Sequence, residues 1–409
     1  MAKPKVRWDW ISRICLRAAS SVIVLTVVLG LAVVVPRSAQ AQKFETLYRF
    51  RGAHGEGPDY GSLSRDAAGN LYGTTDSGGA LGLGNVFKLN TARKVTVLYS
   101  FTGGSDGANP YGGVTTDREG SLYGTTASGG DLSCGGGYGC GTVFKLDTTG
   151  RKTILHFFNG NDGDHPYAGL LLDAKGDLYG STEYGGSNYG TVFKVSVTGK
   201  YRVLHRFEGQ DGEYPGFGSL VRDADGNLYG TTYKGGRYGE GTVFKVSKTG
   251  KERVLYSFGT QGAQPLAGLF LDEKGNLYGT TTMGGASNAG TVFRLEASGK
   301  YAVLYSFTGG ADGAAPDAGV CVDSNGILYG TATLGGDVNC NGSWGCGTVF
   351  KLEPSGKVTV LHTFTGNDGA LPMADLIKDT AGTFYGTTYL GGHMSCNGDG
   401  CGVVFKFTP

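Results

Sequence analysis

Tyrosines at positions 72, 123, 179, 229, 278, 329 and 385 each stand in an L-Y-G-[ST]-[TA] element, with Phe384 replacing Leu in the last, and they recur every 49 to 56 residues. Three more elements keep the same step. G-T-V-F-K-[LV] places phenylalanine at 87, 144, 193, 244, 293, 350 and 405, and V-L-[YH]-x-F ends at Phe50, Phe101, Phe158, Phe207, Phe258, Phe307 and Phe364. The pattern [AG]-[GS]-[LV]-x-x-D ends at Asp66, Asp117, Asp173, Asp223, Asp272, Asp323 and Asp379. Such a repeat forces each unit to bury its apolar face against the next. Each element is a short β-branched, aromatic and aliphatic run bounded by Gly, Asp, Ser or Pro, which is strand chemistry. The reading is all-β: a seven-bladed β-propeller with four antiparallel strands per blade.

The turns agree. Asp-x-x-Gly follows the first element, as in Asp223-Ala224-Asp225-Gly226, and Ser-Gly-Lys or Thr-Gly-Lys joins the last two in most units. Asp opens such a turn by bonding its own backbone, and Gly takes the positive φ that closes it. We label the strands A (ending in Asp), B (L-Y-G-T-T), C (G-T-V-F-K) and D (V-L-Y-x-F). The repeat region opens on a D strand, Thr46 to Phe50, and closes on a C strand, Gly402 to Phe407. That offset suits a ring in which the first D strand completes the last blade, removing free edges.

Composition excludes the alternatives. Glycine contributes 76 of 409 residues, but 11 prolines and no three-residue period rule out collagen. Aromatic residues at 11% argue against a Gly-rich disordered chain, and helices would lose roughly 1 kcal/mol per interior glycine.

Residues 1–41 read as a signal peptide and 42–409 as one propeller domain. Lys3, Lys5, Arg7, Arg13 and Arg17 precede an apolar run from Ala18 to Val35, and Ser38-Ala39-Gln40-Ala41 supplies a small-residue cleavage site after Ala41. Retention as an anchor stays open, because the run nearly suffices to span a bilayer. The leader carries a net +5 of the chain's +1, leaving −4 on the remainder. An acidic exported protein has no electrostatic footprint for nucleic acid. No later segment is long and apolar enough to cross a membrane, so no membrane association is expected after cleavage. The expected location is periplasmic, cell-surface or secreted, as a monomer.

The unit D-x-x-G-N-L-Y-G-T-T, then G-T-V-F-K-L, V-L-Y-S-F and D-G-x-x-P, resembles the GloVer tandem repeat of exported bacterial proteins, over residues 44 to 407. That choice-of-anchor family implies export and surface sorting by varied C-terminal signals, and the resemblance supplies no activity. The chain ends at Pro409 without such a tail, so attachment by that route is not expected. The strand order also looks like that of NHL-type propellers, which bind proteins or nucleic acid. A propeller antibiotic lyase has a similar shape, but its catalytic residues cannot be placed here.

Six cysteines form local pairs between strands B and C: Cys134 with Cys140, Cys340 with Cys346, Cys396 with Cys401. In an oxidising compartment these read as three disulfide staples, with Cys321 left as a buried thiol inside an A strand. Neither metal nor cofactor is expected, since each loop offers two thiols and zinc wants four ligands.

Alternation of strand direction puts the B–C and D–A loops on one face. That face carries the length variation and the staples, and variable loops on a rigid scaffold commonly bind. The D–A motif G-x-D-G-x-x-P offers Asp106, Asp162, Asp211, Asp312 and Asp368, as turn residues or calcium ligands. His156, His205 and His362 occupy a D-strand position held elsewhere by tyrosine, which marks a packing position. Residues that break the repeat are the candidate binding set: Glu183, Tyr184, Lys234, Arg237, Trp344 and His393 in B–C segments, and Asp375 where other A strands have Gly or Ser. His165, Tyr167, Tyr214 and Phe217 add rings in D–A segments. The expected function is a noncatalytic binding or scaffold module, in the cell envelope or outside the cell, that meets a glycan, peptide or protein ligand on this face. The alternative is a propeller-type polysaccharide hydrolase or lyase, which needs two carboxylates or a His–carboxylate pair across the channel mouth.

Overall fold

The computed structural model describes residues 43–393, 396 and 398–409. The leader and its cleavage site at Ala41 lie outside the described residues. Seven four-stranded antiparallel sheets follow one another around a ring. In blade 1 the strands are Ser64–Arg65, Leu71–Thr75, Asn85–Leu89 and Val95–Ser100, in the order A, B, C, D. Blade 7 takes Ile377–Lys378, Phe384–Thr388 and Val403–Thr408 from the end of the chain and Lys43–Arg49 as its D strand. The expected closure is therefore present, with Lys43 opposite Thr408 and Arg49 opposite Val403.

Packing accounts for the repeat letter by letter. The C-strand phenylalanines are fully buried. Each sits under the glycine of L-Y-G: a Cβ on Gly73 would lie 2.8 Å from Phe87 Cζ, and one on Gly386 2.6 Å from Phe405 Cζ. Many glycines do serve turns, as expected, but this one is in a strand because a ring occupies the side-chain space. The phenylalanine after each D strand reaches the next blade's C-strand ring edge-on, from Phe50–Phe87 at 5.1 Å to Phe364–Phe405 at 5.3 Å. The same contact recurs at the other five seams. Such pairs contribute roughly 0.5–1.5 kcal/mol beyond area burial.

The paired threonines divide their work. In five blades the first bonds the next blade's inner loop, as Thr231 to the Ala267 carbonyl at 2.9 Å, whereas Ser181 and Thr387 do not. In blades 2 to 5 the second meets the C-strand threonine, as Thr232 to Thr242 at 2.9 Å. The Asp of each A–B turn caps backbone N–H groups with one oxygen and takes the B-strand Tyr hydroxyl with the other, as Asp223 does with Asn227 N and Tyr229. A bulge at the Leu of V-L-Y interrupts C–D pairing in every blade and increases the strand twist.

The predicted disulfides form, and Cys321 is free. Its Sγ lies 2.8 Å from the Leu376 carbonyl, and burial pushes the thiol up to about 12, so it is inert. Among the described residues no helix is long and apolar enough to cross a membrane.

Candidate functional site

The A strands touch one another around the centre. Gly113 lies against Ser62, Gly112 against Ala168, and Gly268 against Ser219. Asp375 belongs to this ring. Its carboxylate accepts from Gly319 N at 2.6 Å and Ser62 Oγ at 3.4 Å, so one side chain links three blades beside the channel. Burial raises its carboxyl, and those two donors act against the rise.

The D–A loops enter the A strands through a repeated device. The residue before each proline has positive φ: Gly57, Asn109, His165, Tyr214, Gln264, Ala315 and Leu371. Its N–H donates to the preceding blade and its carbonyl accepts from the residue after the next B strand. His165 N reaches Cys140 O at 3.2 Å, and Glu183 N reaches His165 O at 3.0 Å. The device repeats two kinds of position around the channel mouth, the two residues after each proline and the residue after each B strand. One follows the prolines, with Asp59, Tyr60, Tyr111, Tyr167, Phe217 and Asp317. The other follows the B strands, with Asp76, Glu183, Tyr233 and Tyr389.

These residues form a continuous half-buried aromatic patch. Tyr111 meets Tyr167 at 5.0 Å, Tyr167 stacks on Phe217 at 5.4 Å, and Phe217 meets Tyr233 at 6.0 Å. Tyr60, from the loop entering blade 1, reaches Phe217, from the loop entering blade 4, at 5.9 Å. Blades 1 and 4 stand on opposite sides of the ring, so this pair lies over the channel. His165, Tyr184 and Tyr214 extend the patch outward.

Carboxyls underlie the rings. Asp59, Asp76 and Asp317 are buried, and among the described residues none has a Lys, Arg or His within ion-pair distance. Asp317 accepts from Thr282 Oγ1 at 2.9 Å and Asp76 from Ser77 Oγ at 2.9 Å, while Asp59 Oδ1 has no partner. Burial pushes Asp76 and Asp317 up to about 6. It holds Asp59 well above the usual range, with the charges of Asp76 and Asp317 pushing the same way. Beside them, Asp164 Oδ1 lies 2.6 Å from His165 Nδ1 and raises the imidazole. Burial raises Glu183, opposed by the Tyr184 hydroxyl and His165.

The sequence-predicted residues fall into three groups. Glu183 and Tyr184 lie in the patch with His165, Tyr167, Tyr214 and Phe217. Asp375 is at the channel wall. Lys234, Arg237, Trp344 and His393 are exposed farther out on the same face. Lys234 pairs with Glu213 through the backbone, and the Arg237 guanidinium lies 5.4 Å from the Tyr238 ring centre. Trp344 ends a short turn inside its staple at 71% exposure, and Tyr138 occupies the same place in the Cys134–Cys140 loop at 79%. A cleft of about 940 Å³ opens on this face, lined by Tyr238, Glu240, Gln264 and Met283. Asp375, Glu183 and His393 share none of the contacts above and do not form one centre. Asp59, Asp76, Asp317, Tyr60 and Tyr111 were missed. Their signal was available as the two variable positions after each Pro and each T-T pair.

The D–A aspartates spend their oxygens internally. Asp106 accepts from Tyr99 OH at 2.6 Å and Thr102 N at 2.8 Å. Asp162, Asp211 and Asp368 each hold a D-strand histidine, at 3.0, 2.8 and 2.9 Å. The histidines replace tyrosine in one structural bond.

The signature of the Gloeobacter/Verrucomicrobia repeat matches residues 31–136 and 132–344. The chain belongs to that repeat family. No curated protein matches it by sequence. Among solved structures, a virginiamycin B lyase from Staphylococcus aureus aligns at 13% identity over 90% of this chain and 99% of its own, with a TM-score of 0.59. A streptogramin B lyase aligns at 12% over 90% and 97%, at 0.57. A domain described as the extracellular part of a hybrid two-component system from B. thetaiotaomicron aligns at 12% over 89% of this chain and 39% of its own, at 0.55. At these identities this member of the repeat family shares a fold with them.

Proposed function

We propose that the protein is an exported binding module whose ligand, a glycan or peptide carrying amino groups, seats on the channel mouth of the B–C and D–A face. The observation that carries this reading is the patch of Tyr60, Tyr111, Tyr167 and Phe217 over three carboxyls without a cationic partner. Aromatic faces take sugar rings and ammonium groups, and unpaired buried carboxylates favour a ligand that brings positive charge. Export is supported by the leader-like residues 1–41 and by three disulfides, which persist in oxidising compartments.

The test is a screen of immobilised glucosamine oligomers, their N-acetylated counterparts and lysine-rich peptides. Amino-bearing probes should bind best, and Tyr167→Ala should weaken them at least tenfold. Trp344→Ala should weaken a ligand long enough to reach the rim by roughly 2 kcal/mol, while Lys357→Ala in a C–D turn should change little. The reverse ranking would move the site to the other face. A polysaccharide hydrolase or lyase is the second reading, favoured by the Asp76 and Asp317 carboxyls at the mouth, which burial pushes up to about 6, toward the range that suits a general acid. Release of reducing or unsaturated ends that Asp317→Asn abolishes would replace the first reading with this one.

A further inference from the structure

On the outer rim, every seam places the residue four positions before one blade's D-strand Tyr or His against the D-strand ring of the blade before. Tyr201 stacks on His156 at 3.6 Å, Tyr301 on Tyr256 at 4.0 Å, and Phe44 on His362 at 3.5 Å. Lys152 sits 4.9 Å from the Tyr99 ring centre, and Val95 and Val358 pack in the same clusters as Tyr48 and Tyr305. The seam between blades 3 and 4 departs from this pattern. There Glu252 faces His205, which already has Asp211 Oδ2 2.8 Å from Nε2. One ligand atom from each of His205, Asp211 and Glu252 lies within 4.8 Å of the others.

Two carboxylates thus share one imidazole, and Glu252 Oε1 is buried without a hydrogen-bond partner. Among the described residues neither carboxylate has a Lys or Arg within ion-pair distance. A carboxylate oxygen removed from water without a partner is costly, and a metal ion removes that cost. One imidazole nitrogen with two carboxylate oxygens is a donor set for a borderline divalent ion, with zinc bonds of about 2.0–2.2 Å and a remaining position for water. Asp211 keeps its second oxygen on Glu208 N at 2.8 Å, which fixes the carboxylate's orientation as outer hydrogen bonds do for metal ligands. The comparable group of Cys134, Cys140 and Asp164 is closed to a metal by its disulfide.

We propose that His205, Asp211 and Glu252 bind a divalent transition-metal ion of the zinc type, which clamps blades 3 and 4 together at the rim. The repeat itself supplies the control variants. Tyrosine stands at the position of His205 in four blades, as Tyr99 does with Asp106, and Tyr201 and Tyr301 stand at the position of Glu252. His205→Tyr and Glu252→Tyr therefore restore the usual seam and keep the fold.

The experiment titrates zinc chloride into untagged, chelator-stripped protein by calorimetry, with melting curves in parallel. One equivalent should bind with a Kd near or below about 10 μM and raise the melting temperature by several degrees. Each tyrosine variant should lose at least tenfold in affinity and the thermal shift, while its own melting curve stays cooperative. Absence of stoichiometric zinc binding to the parent protein overturns the proposal. So does binding that both variants retain, or a site that takes calcium or magnesium more tightly than zinc.

Discussion

At the residue scale, the same amino acid does different work according to which neighbour fills its space. Aspartate in an A–B turn is capped by donors on both oxygens, and Asp66, Asp117 and Asp272 sit below the usual carboxylate range because backbone and Tyr or Asn donors outweigh desolvation. Asp317, at the mouth, has too few donors to offset burial and is pushed up to about 6. The sign of its pH effect follows. The folded state holds a proton that the unfolded chain, with a carboxyl near 3.8, has already released, so this residue's contribution to stability falls as pH rises from about 4 through 6. A rise from 3.8 to about 6 corresponds to roughly 3 kcal/mol at most. Asp317→Asn keeps an acceptor for Thr282 and cannot ionise. Its melting temperature should match the parent at pH 4 and exceed it at pH 8. A variant less stable than the parent at pH 8 would refute the account.

At the element scale, the D–A loop holds neighbouring blades together through its pre-proline residue, and glycine occupies that position only at Gly57. An L-residue in the left-handed region costs roughly 1–2 kcal/mol, and a glycine adds roughly 0.4–1 kcal/mol of unfolded-state entropy. Ala315→Gly should therefore be neutral to stabilising by about 0.5 kcal/mol. Gly57→Ala should destabilise by more than about 1 kcal/mol, because its Cβ would come 2.4 Å from Asp76 Oδ1 and 2.7 Å from the Tyr389 ring. Urea denaturation of both variants checks this opposition; a common sign for the two would remove it. The staples act at the same scale. Each closes a sequence separation of only 5 or 6 residues, so losing one should cost less than the roughly 3 kcal/mol of a 15-residue loop. The first two fix the turns that display Tyr138 and Trp344.

At the scale of the whole molecule, the ring is only as stable as its closure. Phe50 fills the seam between blades 7 and 1 against Phe87, and Phe44 stacks on His362 of blade 6. One short N-terminal strand thus completes a blade and two seams. Removing residues 43–50 would expose the edge of Val403–Thr408 and empty both contacts. The loss should exceed the ~3–5 kcal/mol of a single Phe→Ala change, read as a much lower or non-cooperative melting transition. A truncated protein that melts like the parent would show that the ring does not depend on this strand.

The sequence by itself determined the number of blades, the strand order, the closing strand, the disulfide pairs and the face that carries the variable loops. Those follow from local chemistry repeated in phase: strand runs, turn residues and close cysteine spacing act within a few residues, and repetition multiplies the signal. It also pointed to Glu183 and Tyr184. Only the tertiary structure decided which irregular residues meet. Tyr60 and Phe217 are 157 positions apart, Asp59 and Asp317 lie in different loops, and His205 meets Glu252 only because consecutive blades pack side by side. Reading one unit at a time marks Trp344, His393 and Asp375 alike only as breaks in the repeat. The ring separates them, leaving Asp375 bonded across three blades at the centre and the other two in solvent at the rim.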